Sequence, residues 1–457
     1  MPLAPDVRWD CRTLVTAIHE GRTDPGAGVA RALDAIAAHN GVLNAVVDHD
    51  PELAEPQLDR LRARLARGER PPLSGLPVTV KDHIHVAGWK ATGGSLLLAD
   101  NRPERDDPAV ARLRDAGAIL IGRTNMSEFG CKGVTSNRIY GATGHPADPL
   151  LTPGGSSGGA AAAVAAGMCA FALASDGGGS IRRPAAHVGV IGFKPSAGAI
   201  PGGHILSHTN VLGVLAAEVD TAMLVFAALR GADRADPVSV NFPADRRSLE
   251  GTRIGWAPTL GLDVRLDEAV AAAAERARAR LSAAGVALEP AAPEWPSGAD
   301  EPALMPLQHA ALATRWGEAW RTDPTVFDTD IASQIEAGLR LDGTAVARAD
   351  AMSREIARAA ATFFATGPDL LVSLTTPCPA WPHALLAPPT IGGLPAGPRD
   401  HAALTPLVNH AFLPAVSIPC GETERGLPLG LQIIGPRFAD DFVLRAAATF
   451  LPLLGAS

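Results

Sequence analysis

Residues 141 to 203 are dominated by glycine, serine, alanine and proline, a composition that taken alone describes a flexible linker. Two segments inside the stretch exclude that reading. Ala160 to Ala174 is a nearly unbroken run of small apolar residues and predicts a small-residue helix, and Val188-Gly189-Val190-Ile191-Gly192-Phe193 reads as packed core. Small side chains let backbones approach closely, so the stretch predicts a dense centre threaded by Gly/Ser loops. Any fold for this chain must be built around it.

The flanking sequence supplies the layers for such a centre. Leu14, Ile18, Val29, Leu33 and Ile36 recur at helical spacing, with Asp24-Pro25-Gly26 as punctuation. A short strand is expected over Leu43 to Val47 and a polar helix from Leu53 to Arg67. Leu76-Pro77-Val78-Thr79-Val80 reads as a strand ending in Lys81-Asp82, followed by a helix (Ala109 to Ala116) and a buried strand (Ala118 to Ile121). The alternation continues with a strand at Thr252–Ala257, a helix at Asp267–Ala284 and a strand at Asp369–Leu374. Leu429 to Gly435 and Phe442 to Phe450 supply a last strand and a closing helix. Alternation of this kind predicts an α/β fold: a single large mixed β-sheet core covered by helices on both faces. Residues 230 to 250 are polar and read as an exposed connection. No segment is a clean linker, so the expectation is one domain over 1–457, with a helical segment at 1–70, a core at 75–220, a variable region at 230–400 and a closing unit at 405–450.

Composition narrows the function classes. A formal charge of −8 argues against an electrostatic grip on nucleic acid or anionic membrane. The longest apolar run is mostly alanine and too short to span a bilayer. Met1 to Asp6 has no basic start and leads into no long apolar stretch, so no leader is expected. Five scattered cysteines form no CxxC pair, which fits a reducing, cytoplasmic setting and gives no zinc cluster. No spacing suggests a metal or an organic cofactor. Of 40 basic residues only Lys81, Lys90, Lys132 and Lys194 are lysine, so each lysine invites a question.

Two clusters could carry chemistry: Gly154-Gly155-Ser156-Ser157-Gly158-Gly159 and Asp176-Gly177-Gly178-Gly179-Ser180-Ile181-Arg182. The first has the glycine spacing of a phosphate loop, but Ala160-Ala161 stand where Lys and Ser/Thr would hold phosphate and metal. It also satisfies GxSxG, for which His383, His401 or His410 could complete a triad, leaving the second cluster and Lys81 unused. A serine–lysine hydrolase is a third reading: Lys81, at the end of an apolar strand, is placed to be a desolvated base, although a surface pair with Asp82 is the plainer alternative. The fourth is purely structural, with glycines that only permit tight turns.

The ordered set of motifs resembles the amidase signature family. It comprises Gly75-Leu76-Pro77-Val78-Thr79-Val80-Lys81-Asp82, the first glycine/serine cluster, and Asp176-x-Gly178-Gly179-Ser180-Ile181-Arg182-x-Pro184. Gly122-Arg123-Thr124-Asn125-Met126 with Glu128-Phe129, Gly192-Phe193-Lys194-Pro195-Ser196, and the stretches Leu413 to Gly421 and Gly426 to Gln432 complete it. Residues 75–220 and 405–450 carry the likeness; 230–400 hardly contribute. The resemblance implies Ser180 as nucleophile, Ser156 as a serine preceded by a cis peptide, and Lys81 as base. It further implies an oxyanion hole from the N–H groups of Gly177, Gly178, Gly179 and Ser180, with Asp176 and Arg182 as supports. To act as a base Lys81 must be neutral, and burial away from a carboxylate can lower its pKa from about 10.4 by about three. Strand alternation turns the neighbouring Asp82 to the other face.

Gly130, Cys131 and Ser157 are the expected substrate contacts, and the small Gly130 suits a bulky or aromatic acyl group. Gly177, where the family commonly has Thr, opens space beside the oxyanion hole; Arg123 and Ser127 depart elsewhere. The implied activity is hydrolysis of a small-molecule amide, aryl amide or carbamate through an acyl-enzyme, by a monomer or homodimer. The alternatives are one component of a tRNA-dependent amidotransferase, or an α/β-hydrolase esterase. Pro388-Pro389 and Gly392-Gly393 with Pro395 suggest either a mobile lid near the entrance or an inert surface loop, the commoner outcome for Pro/Gly loops.

Overall fold

The computed structural model describes residues 8–202 and 209–455; Met1 to Asp6, which bear on the expected absence of a leader, lie outside them. Eleven strands form one mixed sheet, in the order Val46–Asp48, Ile119–Thr124, Pro77–Lys81, Phe171–Asp176, Val211–Ala216, Ile191–Lys194, Ala415–Glu422, Pro428–Ile434, Leu370–Leu374, Ile254–Trp256 and Leu288–Pro290. The strand bearing Lys81 runs parallel to both neighbours, Ile119–Thr124 and Phe171–Asp176. From Phe171–Asp176 to Leu370–Leu374 each successive pairing is antiparallel. Every residue of the strands Pro77–Lys81, Ile119–Thr124, Phe171–Asp176, Ile191–Lys194, Val211–Ala216 and Pro428–Ile434 is buried, so both faces of the sheet centre are covered. That is why these strands read as continuous apolar runs. No helix among the described residues is long and apolar enough to cross a membrane.

The small-residue run departs from expectation. Ala160 to Ala174 is not one helix: a helix covers Gly158–Ala165, Gly167 turns the chain at φ 70°, and Phe171–Asp176 is a central strand. A left-handed glycine ends a helix without steric cost, and pairing on both edges then decides that Phe171-Ala172-Leu173-Ala174 is extended. Leu43 likewise belongs to the helix Gly26–Leu43, which Asn44 closes in a left-handed conformation before the strand starts at Val46. The second residue of the buried helix, Gly159, lies against other backbone; a Cβ there would stand 2.4 Å from the Asn125 carbonyl oxygen and 2.7 Å from that of Ala45.

Residues between Leu229 and Ile254 carry no helix or strand, in line with an exposed connection. The variable region adds three helices beyond the expected elements: Glu301–Thr322, Thr329–Leu339 and Gly343–Thr366. The first of them has its amphipathic signal in the chain, since Leu304, Leu312, Trp316 and Trp320 stand at multiples of four. Leu312, Ile331 and Ile335 close a small separate core with Cys131 and Phe327. The Pro/Gly segment forms a short hairpin, Thr390–Ile391 with Leu394–Pro395.

In an ordinary helix Gly→Ala stabilises by up to about 1 kcal/mol. At Gly159 the backbone contact reverses the sign: Gly159→Ala is expected to lose about 1–3 kcal/mol, measurable as a lowered midpoint in urea unfolding.

Candidate active site

The strand Pro77–Lys81 delivers Lys81 to the centre of the molecule, fully buried. Its Nζ donates to Ser156 Oγ at 2.7 Å and to Ser175 Oγ at 3.1 Å, with the Ser175 carbonyl at 3.5 Å. Asp82 points elsewhere, towards the buried Arg123 guanidinium at 3.5 Å and the Thr92 hydroxyl, so the plain Lys81–Asp82 pair does not form. Arg123 in turn donates to the carbonyls of Lys81 (3.3 Å) and Ile84 (3.1 Å), clamping the strand end. Burial brings the Lys81 ammonium down from 10.5 to about 7, against the opposing pull of the Asp176 charge. A lysine in this setting can hold or release a proton near neutrality.

Ser156 follows a cis peptide bond from Gly155, and Gly130 lies over it: a Cβ on Gly130 would meet Ser156 Oγ at 3.3 Å. Ser157 does not meet the expectation set for it. Its hydroxyl turns inward to donate to the Ser175 carbonyl at 3.2 Å, its N–H donates to the Ser180 carbonyl at 3.2 Å, and it is absent from the cavity wall. Ser157 thus stitches the two glycine/serine segments together.

Ser180 stands on the cavity wall just before the buried helix Arg182–Val188. Its loop is held by a polar knot. Asp176 accepts from the N–H groups of Gly179 (2.7 Å) and Ile181 (3.1 Å) and from Arg182 Nε and Nη2 (both 3.1 Å). Asn409 Nδ2 donates to the Asp176 carbonyl and carboxylate at 2.9 Å each, and Arg182 Nη1 reaches Gln432 Oε1 at 2.9 Å. Burial alone would raise the Asp176 carboxyl, but Arg182 and these donors hold it well below the usual carboxylate range. One expectation is corrected here. The Gly179 N–H is already given to Asp176, so of the four backbone donors assigned to an oxyanion hole only those of Gly177, Gly178 and Ser180 are left for that role. Gly179 itself must be glycine, with φ at 107° and a Cβ that would overlap the Thr405 hydroxyl at 2.1 Å.

These residues meet at a cavity of about 390 Å³ whose wall includes Ser156, Ser180, Gly177, Gly178, Gly130 and Cys131. Burial pushes the Cys131 thiol up to about 12, so it lines the cavity as a neutral group. Much of the apolar wall comes from the helix Glu301–Thr322, where Trp316 stacks on Phe129 with ring centroids 4.9 Å apart. Among the ties that fasten this region to the core, Glu128 accepts from the Asp328 N–H at 2.6 Å, and Lys132 pairs with Asp328 at 2.5 Å. Burial raises the Glu128 carboxyl to about 7.

Sequence reasoning missed Ser175 and His83. Ser175 Oγ sits between Lys81 and His83 Nε2, the latter at 2.8 Å. A signal for both exists, since Ser175 stands near the end of the strand beside Lys81 and His83 is two residues beyond that lysine. The late histidines do not complete a GxSxG triad: Ser156 is engaged by Lys81, His410 Nδ1 bonds Ser353 Oγ at 2.7 Å, and His401 is buried with neither ring nitrogen partnered. Lys132 and Lys194 are also buried, the latter brought down to about 7 by burial, with its Nζ on the Pro195 carbonyl at 2.9 Å.

Removing one member of a buried ion pair strands the other. Arg182→Met is therefore expected to cost about 3–5 kcal/mol of unfolding free energy, read from denaturant titration.

The family model described as Amidase matches residues 27–444. The chain is 32% identical over 461 residues to an acylamidase of Rhodococcus erythropolis, covering 97% of this chain and 95% of that one. It is 33% identical over 463 residues to a glutamyl-tRNA(Gln) amidotransferase component of Moorella thermoacetica, covering 92% and 91%. Among solved structures, a bacterial aryl acylamidase superposes with a TM-score of 0.90 at 26% identity, covering 98% and 96%.

Proposed function

This chain belongs to the amidase signature family, hydrolases acting on non-peptide C–N bonds, and from that premise we propose that it cleaves a small-molecule amide, aryl amide or carbamate by a Lys81–Ser156–Ser180 mechanism. The observation that carries the reading is the buried Lys81 Nζ at 2.7 Å from Ser156 Oγ, on the same cavity as Ser180. Ser180 Oγ attacks the substrate carbonyl while its proton passes to Ser156, whose own proton passes to neutral Lys81. The N–H groups of Gly177, Gly178 and Ser180 stabilise the oxyanion, where one lost donor typically costs about 3–4 kcal/mol. Collapse breaks the C–N bond as the leaving nitrogen takes a proton back through Ser156. Water then attacks the acyl-Ser180 ester, with Lys81 again the ultimate proton acceptor.

The stacked Phe129–Trp316 wall supports an aromatic or bulky apolar moiety. The likeness to a glutamyl-tRNA(Gln) amidotransferase component supports a second reading, that this chain is one component of a tRNA-dependent amidotransferase. The formal charge of −8 gives that reading no support from an RNA-attracting field on this chain and favours an independent hydrolase. The five cysteines are unpaired and buried, which supports a reducing compartment.

A fluorophosphonate probe is expected to label Ser180, as mapped by mass spectrometry, and to react at least a hundredfold more slowly with Lys81→Ala, in line with loss of a general base (~10²–10⁴). Labelling of Ser156 or Ser157 independent of Lys81 would overturn the mechanism. Because Lys81 works as the free base, kcat/KM for an anilide should rise with pH along a limb centred near 7 and level off above it. Trp316→Ala is expected to raise KM for arylacyl substrates about tenfold, from lost stacking and burial, with little change for acetyl substrates.

A further inference from the structure

Adjacent arginines just after Ser180 are used in opposite ways. Arg182 is saturated by protein acceptors. Arg183, 4% exposed, gives only Nη2 to the Gly155 carbonyl at 3.4 Å, and its Nε and Nη1 are buried without a partner. It makes no ion pair among the described residues. Glu301, 7% exposed, shows the complementary deficit: Oε1 accepts from Arg399 Nε at 2.8 Å, while Oε2 is buried and unpartnered. Arg183, Glu301 and Arg399 all line the cavity that holds Ser156 and Ser180.

Buried polar groups are nearly always paired in the working state of a protein. Arg183 holds two unmet donors and Glu301 one unmet acceptor, and both side chains border one cavity, so a group bound there that draws on them must suit both. An apolar group would satisfy neither side. A carboxylate would satisfy Arg183 but set a second negative charge beside Glu301. A carbonyl joined to an N–H accepts from the one and donates to the other.

We infer that Arg183 and Glu301 form a subsite for a second, uncharged carboxamide-type group on the substrate (primary amide, secondary amide or ureido), separate from the bond that is cleaved. Arg399 then acts as a positioning residue that holds Glu301. The inference rests on the reading of Ser180 as nucleophile, and it turns the broad amide class into bifunctional substrates.

The test uses the full chain with acyl p-nitroanilides of matched length whose acyl ends carry a carboxamide, a carboxylate or an isopropyl group, over a range of chain lengths. At one length the carboxamide substrate should exceed the isopropyl one in kcat/KM by about tenfold to a hundredfold, mainly through KM, as hydrogen bonds to charged partners imply. Arg183→Met and, independently, Glu301→Gln should bring that ratio towards one. Glu301→Gln preserves volume and can still accept from Arg399, so it tests the acceptor if Arg183→Met does not fold. A purely structural role would lower the rate on all three substrates and leave the ratio unmoved, which would overturn the subsite. Equal rates at every length, or a preference for the carboxylate, would overturn it as well. If no anilide is cleaved and Ser180 is not labelled, the catalytic reading has failed. The subsite is then judged by melting temperature: the carboxamide-ended anilide should raise it more than the isopropyl one in the wild-type chain and not in Arg183→Met, and equal shifts would overturn it.

Discussion

The site depends on one uncompensated burial. A lysine ammonium removed from water and denied a carboxylate partner gives up its proton more readily, and the protein arranges both conditions around Lys81. The sheet centre covers its strand on both faces, and the neighbouring Asp82 is drawn away to Arg123 and Thr92. Asp176, the carboxylate whose charge acts most on Lys81, is neutralised by Arg182 inside a saturated network. Two buried ion pairs thus flank the lysine and keep both nearby negative charges occupied. The lysine itself is left to two serine hydroxyls.

The same arrangement explains why the backbone around the site is so rich in glycine. The segment bearing Ser156 and the segment bearing Ser180 are stitched together through Ser157, and the first of them packs against Gly133, Thr135 and Asn125 at distances no Cβ would permit. Rigidity comes from hydrogen bonds to backbone groups, with Asp176 fixing the turn at Gly179 and Ile181. The Gly179 N–H is spent in this way, so the loop's rigidity draws on the same small set of backbone donors that the proposed oxyanion hole would use. The knot that consumes one of them holds the other three still.

Much of the cavity wall is built from a different part of the chain than Lys81, Ser156 and Ser180. Much of the wall beyond the glycine loops comes from Glu301–Thr322, which brings Trp316, Glu301 and Leu304 to the cavity. Glu128 and Lys132, both from the core, seize the backbone and side chain of Asp328 to dock that region. A core segment next to the site therefore serves as an anchor for a peripheral one, which lets the wall differ while Lys81, Ser156 and Ser180 stay in place.

How much of this is legible in the chain differs by element. The strand ending at Lys81, the turning away of Asp82 and the α/β architecture follow from local pattern: period-two alternation and apolar runs. The clustering of Ser156 with Ser180 is what the resemblance to the amidase signature family implies. Lys81 contacts Ser156, and Ser156, Ser180, Gly177, Gly178, Gly130 and Cys131 do meet at one cavity. The chain alone does not reveal that Phe171 to Ala174 leaves the helix to become a strand, because small apolar residues suit either state and only pairing along both strand edges decides. Nor does it reveal that Ser157 turns inward, that Gly179 gives its N–H to Asp176, or that Glu301 shares a cavity with Arg183 from 118 residues away in the chain. Local chemistry determined which groups this protein possesses. Which of them remain without a protein partner, and so are available to a substrate, is a property of long-range packing and was decided by the tertiary structure alone.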